Sequence, residues 1–516
     1  MNQLEVIVGL FLAAVLLSAA ARKVGAPYPV FLAVGGGLLA FVPGVPVVTV
    51  PPGLALALFV APILLDAAYD ASLRDLRDNW LPLVSLVVVA VVLTTAAVAI
   101  VARMLVPSMP WAVAIALGAL VAPPDAVAAT AVLRPLRPPH RLLIILEGES
   151  LLNDASSLLI YRLAVGAVAA NGFSAGSVAP AFLLAVVGSV VAGPAFAWGT
   201  QRILPRVHHV PTAIILQFVS TFSVWIIAEN IGLSGVLTTV CYAMTLARSA
   251  PREIPARVRI PTNVVWQTVV FALNIMAFII IGLQIRPIVE GLQPGDRLRY
   301  LLFAGAVLAT VIVVRVAWHM PFNAVVRWKH VRYGYRPPRP MLRPSIGSGL
   351  VISWAGMRGI VSLAAALALP ADFPFRGLIL STASAVVLGT LVLQGLTLKP
   401  LMRALDLHDG DPVADEIRTA RQRALDVGLA SVDGDGSHAA DLVRRDFRAR
   451  LARWQHKTGA AADLQSAYTA LHGQAVRAAR QALLAMRDAE EIGDDAFHAL
   501  EDELDWIEVS SAAKTS

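Results

Sequence analysis

The sequence predicts an all-α polytopic membrane protein: about thirteen transmembrane helices in two inverted six-helix repeats with broken crossing helices, then a helical cytoplasmic tail. Three observations carry this expectation. The 516 residues are 57% apolar and only 15% charged, whereas a soluble domain is roughly 45–50% apolar and about a quarter charged. The charge is also divided by position. Residues 1–400 hold 28 Lys and Arg against 14 Asp and Glu, whereas residues 401–516 hold 14 against 21. Finally, apolar runs near the ~20 residues that cross a hydrocarbon core recur along the first 400 positions. The boundary at 400 separates a transmembrane domain, 1–400, from a polar tail, 401–516. Disorder is excluded by composition, and the single Cys241 excludes a disulfide scaffold or a cysteine-based metal site. A pI near 9.8 does not mark a nucleic-acid partner, because the basic residues belong to loops between apolar segments.

The runs lie near 4–21, 28–43, 52–68, 80–104, 110–133, 140–169, 176–202, 211–228, 232–249, 263–285, 298–326, 346–369 and 377–400. The first could be a signal peptide with Ser18 to Ala21 as its cleavage site. However, Glu5 precedes it and Arg22-Lys23 follow, the reverse of a signal peptide's charge order; it reads as a retained helix. The second and third runs are short, and the fifth is interrupted. Alternate loops carry the positive charge, 19 Lys and Arg in one set against five in the other: Arg103, Arg286, Arg297, Arg299 and Arg376. By the positive-inside rule the N-terminus is outside and the acidic tail cytoplasmic, as an odd number of spans requires. Gly35-Gly36-Gly37 lies inside an apolar run and reads as a close helix contact rather than a phosphate loop.

Two spans contain breaks. Val121-Ala122-Pro123-Pro124-Asp125 interrupts the fifth: two prolines remove two backbone donors and free carbonyls at mid-membrane. Backbone exposed at that depth must be buried in protein or line a cavity. Ser353 to Gly359 interrupts the twelfth, with Gly356 and Gly359 bracketing Arg358. Spans 1–6 and 8–13 then form two halves, each with a broken fifth member and running in opposite senses, the arrangement of secondary transporters.

Asp66, Asp125, Glu147, Glu149 and Asp154 fall within apolar stretches, where an ionised group is costly and by default functional or paired. Arg315, Arg358 and Arg162 are too few to pair all five, so part of this cluster is expected to bind a cation or a proton. On the sixth span Glu147, Ser150 and Asp154 fall within about 60° of one another. Glu149 and Asn153 form a second strip suited to meet an arginine from a neighbouring helix. Oxygens alone suit a hard cation such as Na⁺.

Gly118 to Ala128 and Leu146 to Asp154 (Leu-Glu-Gly-Glu-Ser-Leu-Leu-Asn-Asp) resemble motifs of the monovalent cation/proton antiporters, first subfamily. It includes bacterial and archaeal sodium/proton antiporters and animal sodium/proton exchangers. Trp354 to Ala364 is similar to that family's arginine motif, and Asn274 to Leu283 to its tenth-span pattern. The resemblance covers roughly 4–400. It implies an electroneutral exchanger in which Asp154 of the Asn153-Asp154 pair binds either cation or proton, with Na⁺ at Asp154, Asp125 and Ser150. It further implies a Glu149–Arg358 pair beside Asn153, Asp66 near the ion path, and a homodimer. Where many relatives have Thr-Asp-Pro, this chain reads Pro124-Asp125-Ala126, leaving the Pro124 carbonyl as the available oxygen. K⁺ or Li⁺ therefore stays open beside Na⁺.

The expected activity is secondary antiport with cation and proton competing for Asp154, in a bacterial inner membrane, without cofactor or enzymatic chemistry. A channel would want a repeated filter, and a metalloprotease a His-Glu-x-x-His; neither occurs. Arg315 reads as a packing partner for a carbonyl or acid. Glu147 is open to a path or a structural role, and His208-His209 reads as solvated. The tail reads as amphipathic helices with turns at Asp433–Gly436 and Gly493–Asp495, a regulatory segment in which nothing is catalytic.

Overall fold

The computed structural model describes residues 3–43, 45, 51, 53, 56–169, 175–207, 209–291, 295, 297–334, 344–407, 412–455, 459–489, 491 and 494–511. His208, Gly493 and the arginine-bearing stretch 335–343 lie outside these. The chain forms two compact units, Met1–Gly410 and Asp411–Ser516.

In the first unit every expected span corresponds to a helix or a pair of half-helices. They are α1 (Gln3–Val24), α2 (Tyr28–Leu39), α3 (Ala61–Asp70), α4 (Trp80–Leu105), α5 (Trp111–Val121), α6 (Ala126–Leu133), α7 (His140–Ala169), α8 (Ala175–Ile203) and α9 (Val210–Asn230). There follow α10 (Gly235–Glu253), α11 (Ala256–Leu283), α12 (Arg297–Tyr333), α13 (Ile346–Trp354), α14 (Ile360–Leu367) and α15 (Arg376–Leu405). Among the described residues, nine helical stretches are long and apolar enough to cross a membrane, each half of the broken twelfth span being too short alone. Two spans are less regular than their composition suggests. A π-helical turn, Leu56–Val60, leads into α3, and another, Ser85–Ala90, lies inside α4.

Leu12, Leu184, Val191, Leu301, Leu302 and Val313 are exposed, as a lipid-facing exterior demands. Inside, small residues let backbones touch, which is how helices associate where lipid is as apolar as leucine. A Cβ on Gly36 would stand 2.4 Å from the carbonyl oxygen of Ile279, and one on Gly282 2.2 Å from that of Ala33. The glycine run therefore seats α2 against α11. Gly118 approaches the Thr95 carbonyl in the same way, joining α5 to α4.

The second unit holds α16 (Pro412–Ala430), α17 (His438–Gln455), α18 (Gly459–Asp488) and α19 (Asp494–Ser511). Asp435 Oδ1 accepts from the Ser437 backbone N–H at 2.8 Å in the turn between α16 and α17. This bond and Arg444 hold the Asp435 carboxyl below the usual carboxylate range. Arg480 of α18 donates to Asp505 and Glu508 of α19 at 2.7 and 2.9 Å.

Candidate functional site

The two breaks meet. Beyond α5 the chain runs extended through Pro123-Pro124 to Asp125, whose backbone N–H donates to the carbonyl of Met357, in the second break, at 2.6 Å. Four half-helix ends thus converge, with orphan carbonyls at the ends of α5 and α13 and orphan N–H groups at the starts of α6 and α14. Each kind of end is met by a side chain of opposite charge.

Arg358, 1% exposed, serves the end of α5. Its Nε donates to the Val121 carbonyl at 2.9 Å and its Nη2 to that of Ala122 at 3.2 Å, while Nη1 donates to the Gly356 carbonyl. Its own backbone N–H donates to Thr390 Oγ1 of α15 at 3.0 Å. Arg315 of α12 serves the end of α13, donating from Nη2 to the Ile352 carbonyl at 3.1 Å. It also grips Glu149 of α7 with two bonds, 2.5 and 2.8 Å. The expected Glu149–Arg358 pair is therefore corrected to Glu149–Arg315. The free carbonyls of the broken fifth span occupy the Arg358 guanidinium, so the acid takes the arginine of α12.

Asp125 sits at the positive ends. It is the N-cap of α6, accepting from the Val127 backbone N–H at 2.8 Å. Its other oxygen crowds Gly359, the N-cap of α14, where an added Cβ would lie 1.8 Å from Oδ2. Gly359→Ala is expected to push the Asp125 carboxylate aside and to cut the cation/proton exchange that the sequence motifs imply by about a hundred-fold, the order by which a ~1 Å misplacement degrades a preorganised site. Gly305→Ala, with nothing within 4 Å of the new carbon, should transport at the wild-type rate. Initial rates of cation-driven proton flux compare the two.

The sixth-span motif faces this crossing. Asn153, fully buried, donates from Nδ2 to the Pro124 carbonyl at 2.9 Å, so that freed oxygen is already engaged by one bond. Ser150 Oγ accepts from the Ala126 backbone N–H at 3.1 Å. One turn on from Ser150, Asp154 is buried at 7% exposure. No cationic side chain among the described residues forms an ion pair with it. Ser150, Asp154, Asp125 and Pro124 line a cavity of about 350 Å³ that also contains Asp66, Asp70, Asn274 and Gly359. The cavity continues to Arg134 and Glu147, which are joined by a 2.8 Å ion pair.

The five acids thus separate. Glu147 and Glu149 have arginine partners; Asp66, Asp125 and Asp154 gather around one cavity. The sequence assigns no site role to Thr390, Asp70 or Arg134, and it marks Met357 and Gly359 only as parts of the second break. A threonine on an apolar helix was the one available signal for Thr390. Arg134 looked like any other loop arginine, and the Met357 carbonyl leaves no trace in side-chain chemistry.

Comparison with known proteins agrees with this architecture. The family described as sodium/hydrogen exchanger, transmembrane, matches residues 8–404. An uncharacterised Na⁺/H⁺ exchanger of Mycobacterium tuberculosis is 31% identical over 459 residues, 86% of this chain and 82% of that protein. A sodium, potassium, lithium and rubidium/H⁺ antiporter of Bacillus subtilis is 25% identical over 478 residues, 88% of this chain and 70% of its own length. The solved sodium proton antiporter MjNhaP1 of Methanocaldococcus jannaschii shares the fold, with a TM-score of 0.61 at 18% identity over 80% of this chain and 100% of that one. With two broken helices that meet and a family match over residues 8–404, this chain is a member of the transmembrane sodium/hydrogen exchanger family.

Proposed function

We propose that this chain exchanges Na⁺ for H⁺ across a bacterial cell membrane, one for one, with both ions competing for the Asp154 carboxylate. The observation that carries this reading is a buried carboxylate, with no cationic partner among the described residues, lining a cavity at the crossing of two broken helices. A charge so placed is stable only when a cation or a proton neutralises it. Ser150, Asp125 and Asp66 supply further oxygens for a monovalent cation. Asp125 faces the N-termini of α6 and α14, which balance its charge. One exchanging charge then remains at Asn153-Asp154, which makes the cycle electroneutral. The cation and proton are cargo, and the reading needs no cofactor and no enzymatic step.

The positive-inside charge bias supports a cytoplasmic tail and an outside N-terminus. On that orientation the cavity's extension to Asp70, Arg134 and Glu147 opens it to the cytoplasm, one face of an alternating-access cycle. The family resemblance supports a homodimer, and the separate compactness of residues 411–516 supports a regulatory tail.

K⁺/H⁺ exchange is the second reading. The Bacillus subtilis relative's name includes potassium, and Pro124-Asp125-Ala126 lacks a hydroxyl that would tighten the oxygen cage. Proteoliposomes loaded with a pH dye separate the readings when Na⁺, Li⁺ and K⁺ drive proton flux in turn. The expected result is saturable flux with Na⁺ and Li⁺ well above K⁺, unaffected by clamping the membrane potential. Preference for K⁺ would select the second reading, and flux that never saturates would exclude antiport.

A further inference from the structure

The cavity that reaches Asp154 has a charged mouth that competition at Asp154 does not itself require. Asp66 and Asp70 of α3 line it on one side and Glu147 of α7 on another, and with them stands a cation, Arg134. Arg134 follows directly on α6, at the first position of the 3₁₀ turn Arg134–Leu136. It is therefore fixed to the half-helix whose other end is capped by Asp125. Its Nη2 donates to Glu147 Oε1 at 2.8 Å, with the two side chains 68% and 42% exposed. Exposed pairs of this kind are weak and exchange partners readily. Asp66 and Asp70 both lie close enough for the charge of Arg134 to act on them, and Glu147 acts on Asp70 in the same way. A fixed positive charge on a cation's route repels that cation, and low-dielectric cavity walls strengthen the effect.

We propose that Arg134 is a mobile gate charge at the mouth of the ion cavity, parked by Glu147. While Glu147 holds it, Asp66 and Asp70 face the cavity unneutralised and draw a monovalent cation inward. Released, the guanidinium turns to those two carboxylates, cancels their charge and stands across the entrance. Glu147 is thus a positioning residue, acting on the cation through Arg134. The proposal rests on the exchange reading above and adds to it an element set by this chain's own loop sequence.

The test is a double-mutant cycle on the full chain in proteoliposomes, reading KM and kcat for Na⁺ separately. Glu147→Gln is expected to raise the apparent KM by about two- to five-fold, the size a weak exposed pair supports, with kcat retained. Arg134→Gln should lower KM below the wild-type value. The combined variant should match Arg134→Gln, because without the arginine there is nothing to park. The proposal is overturned if Glu147→Gln raises KM equally in the presence and absence of Arg134, which would make Glu147 a direct cation contact. It is overturned equally if Arg134→Gln raises KM or leaves it unchanged. Retained kcat in the single variants reports that the fold is intact. If wild-type flux itself does not saturate with Na⁺, the exchange reading fails; if it saturates but the cycle shows no coupling, the gate alone fails.

Discussion

Asp154→Asn is expected to abolish cation-driven proton movement in proteoliposomes, down to the background of protein-free vesicles. The substitution keeps the shape of the side chain and removes its ability to take up a proton or balance a cation. If exchange is competition for the Asp154 carboxylate, no residual flux is expected: Glu147 and Glu149 are held by Arg134 and Arg315, and Asp125 is engaged as the N-cap of α6. The same variant should melt no lower than the wild type in detergent. A buried carboxylate without a cationic partner costs stability, and a neutral amide in its place costs less. Loss of flux with an unchanged or raised melting temperature is the combined signature. Saturable exchange retained by Asp154→Asn would move the transport role to Asp125.

The second large effect is structural. Arg315→Ala should lower stability by about 3–5 kcal/mol, the usual consequence of removing one partner from a buried pair. The Glu149 side chain, 1% exposed, would be left with its charge and no cation, and the Ile352 carbonyl at the end of α13 would lose its donor. Glu149→Gln combined with Arg315→Met should recover most of the loss, because it removes both charges while keeping the volume. Thermal melting of the purified variants in one detergent makes the comparison. A wild-type melting temperature for Arg315→Ala would show that the pair does not support the crossing.

These two predictions place the acids in separate classes, and that separation was only half legible before the structure. Asp154, Asp125 and Ser150 could be singled out because an acid or hydroxyl in an apolar run is conspicuous, and helical spacing put Ser150 beside Asp154. Glu149 was equally conspicuous, but its partner was not. Two buried arginines, Arg315 and Arg358, satisfied every local criterion, and neither spacing nor charge distinguishes them. The choice depends on which one the carbonyls of Val121 and Ala122 claim first, a contact across more than 230 positions. Arg134 is one of the 19 loop charges in the sequence, and its place at the cavity mouth follows from how far α6 extends past the break.

The spans, the breaks and the polarity of the loops were determined by the sequence itself. Their cause is local: a bilayer asks for a certain length of apolar residues, prolines interrupt a helix where they stand, and positive charge stays on one side. Only the tertiary structure decided how the four half-helix ends are neutralised. Arg358 answers the carbonyls of α5 and Arg315 one of α13, while Asp125 accepts from the Val127 N–H of α6 and packs its other oxygen against Gly359 at the start of α14. Those assignments are settled by which ends come together when the two halves cross, and electrostatics then gives each end the nearest opposite charge.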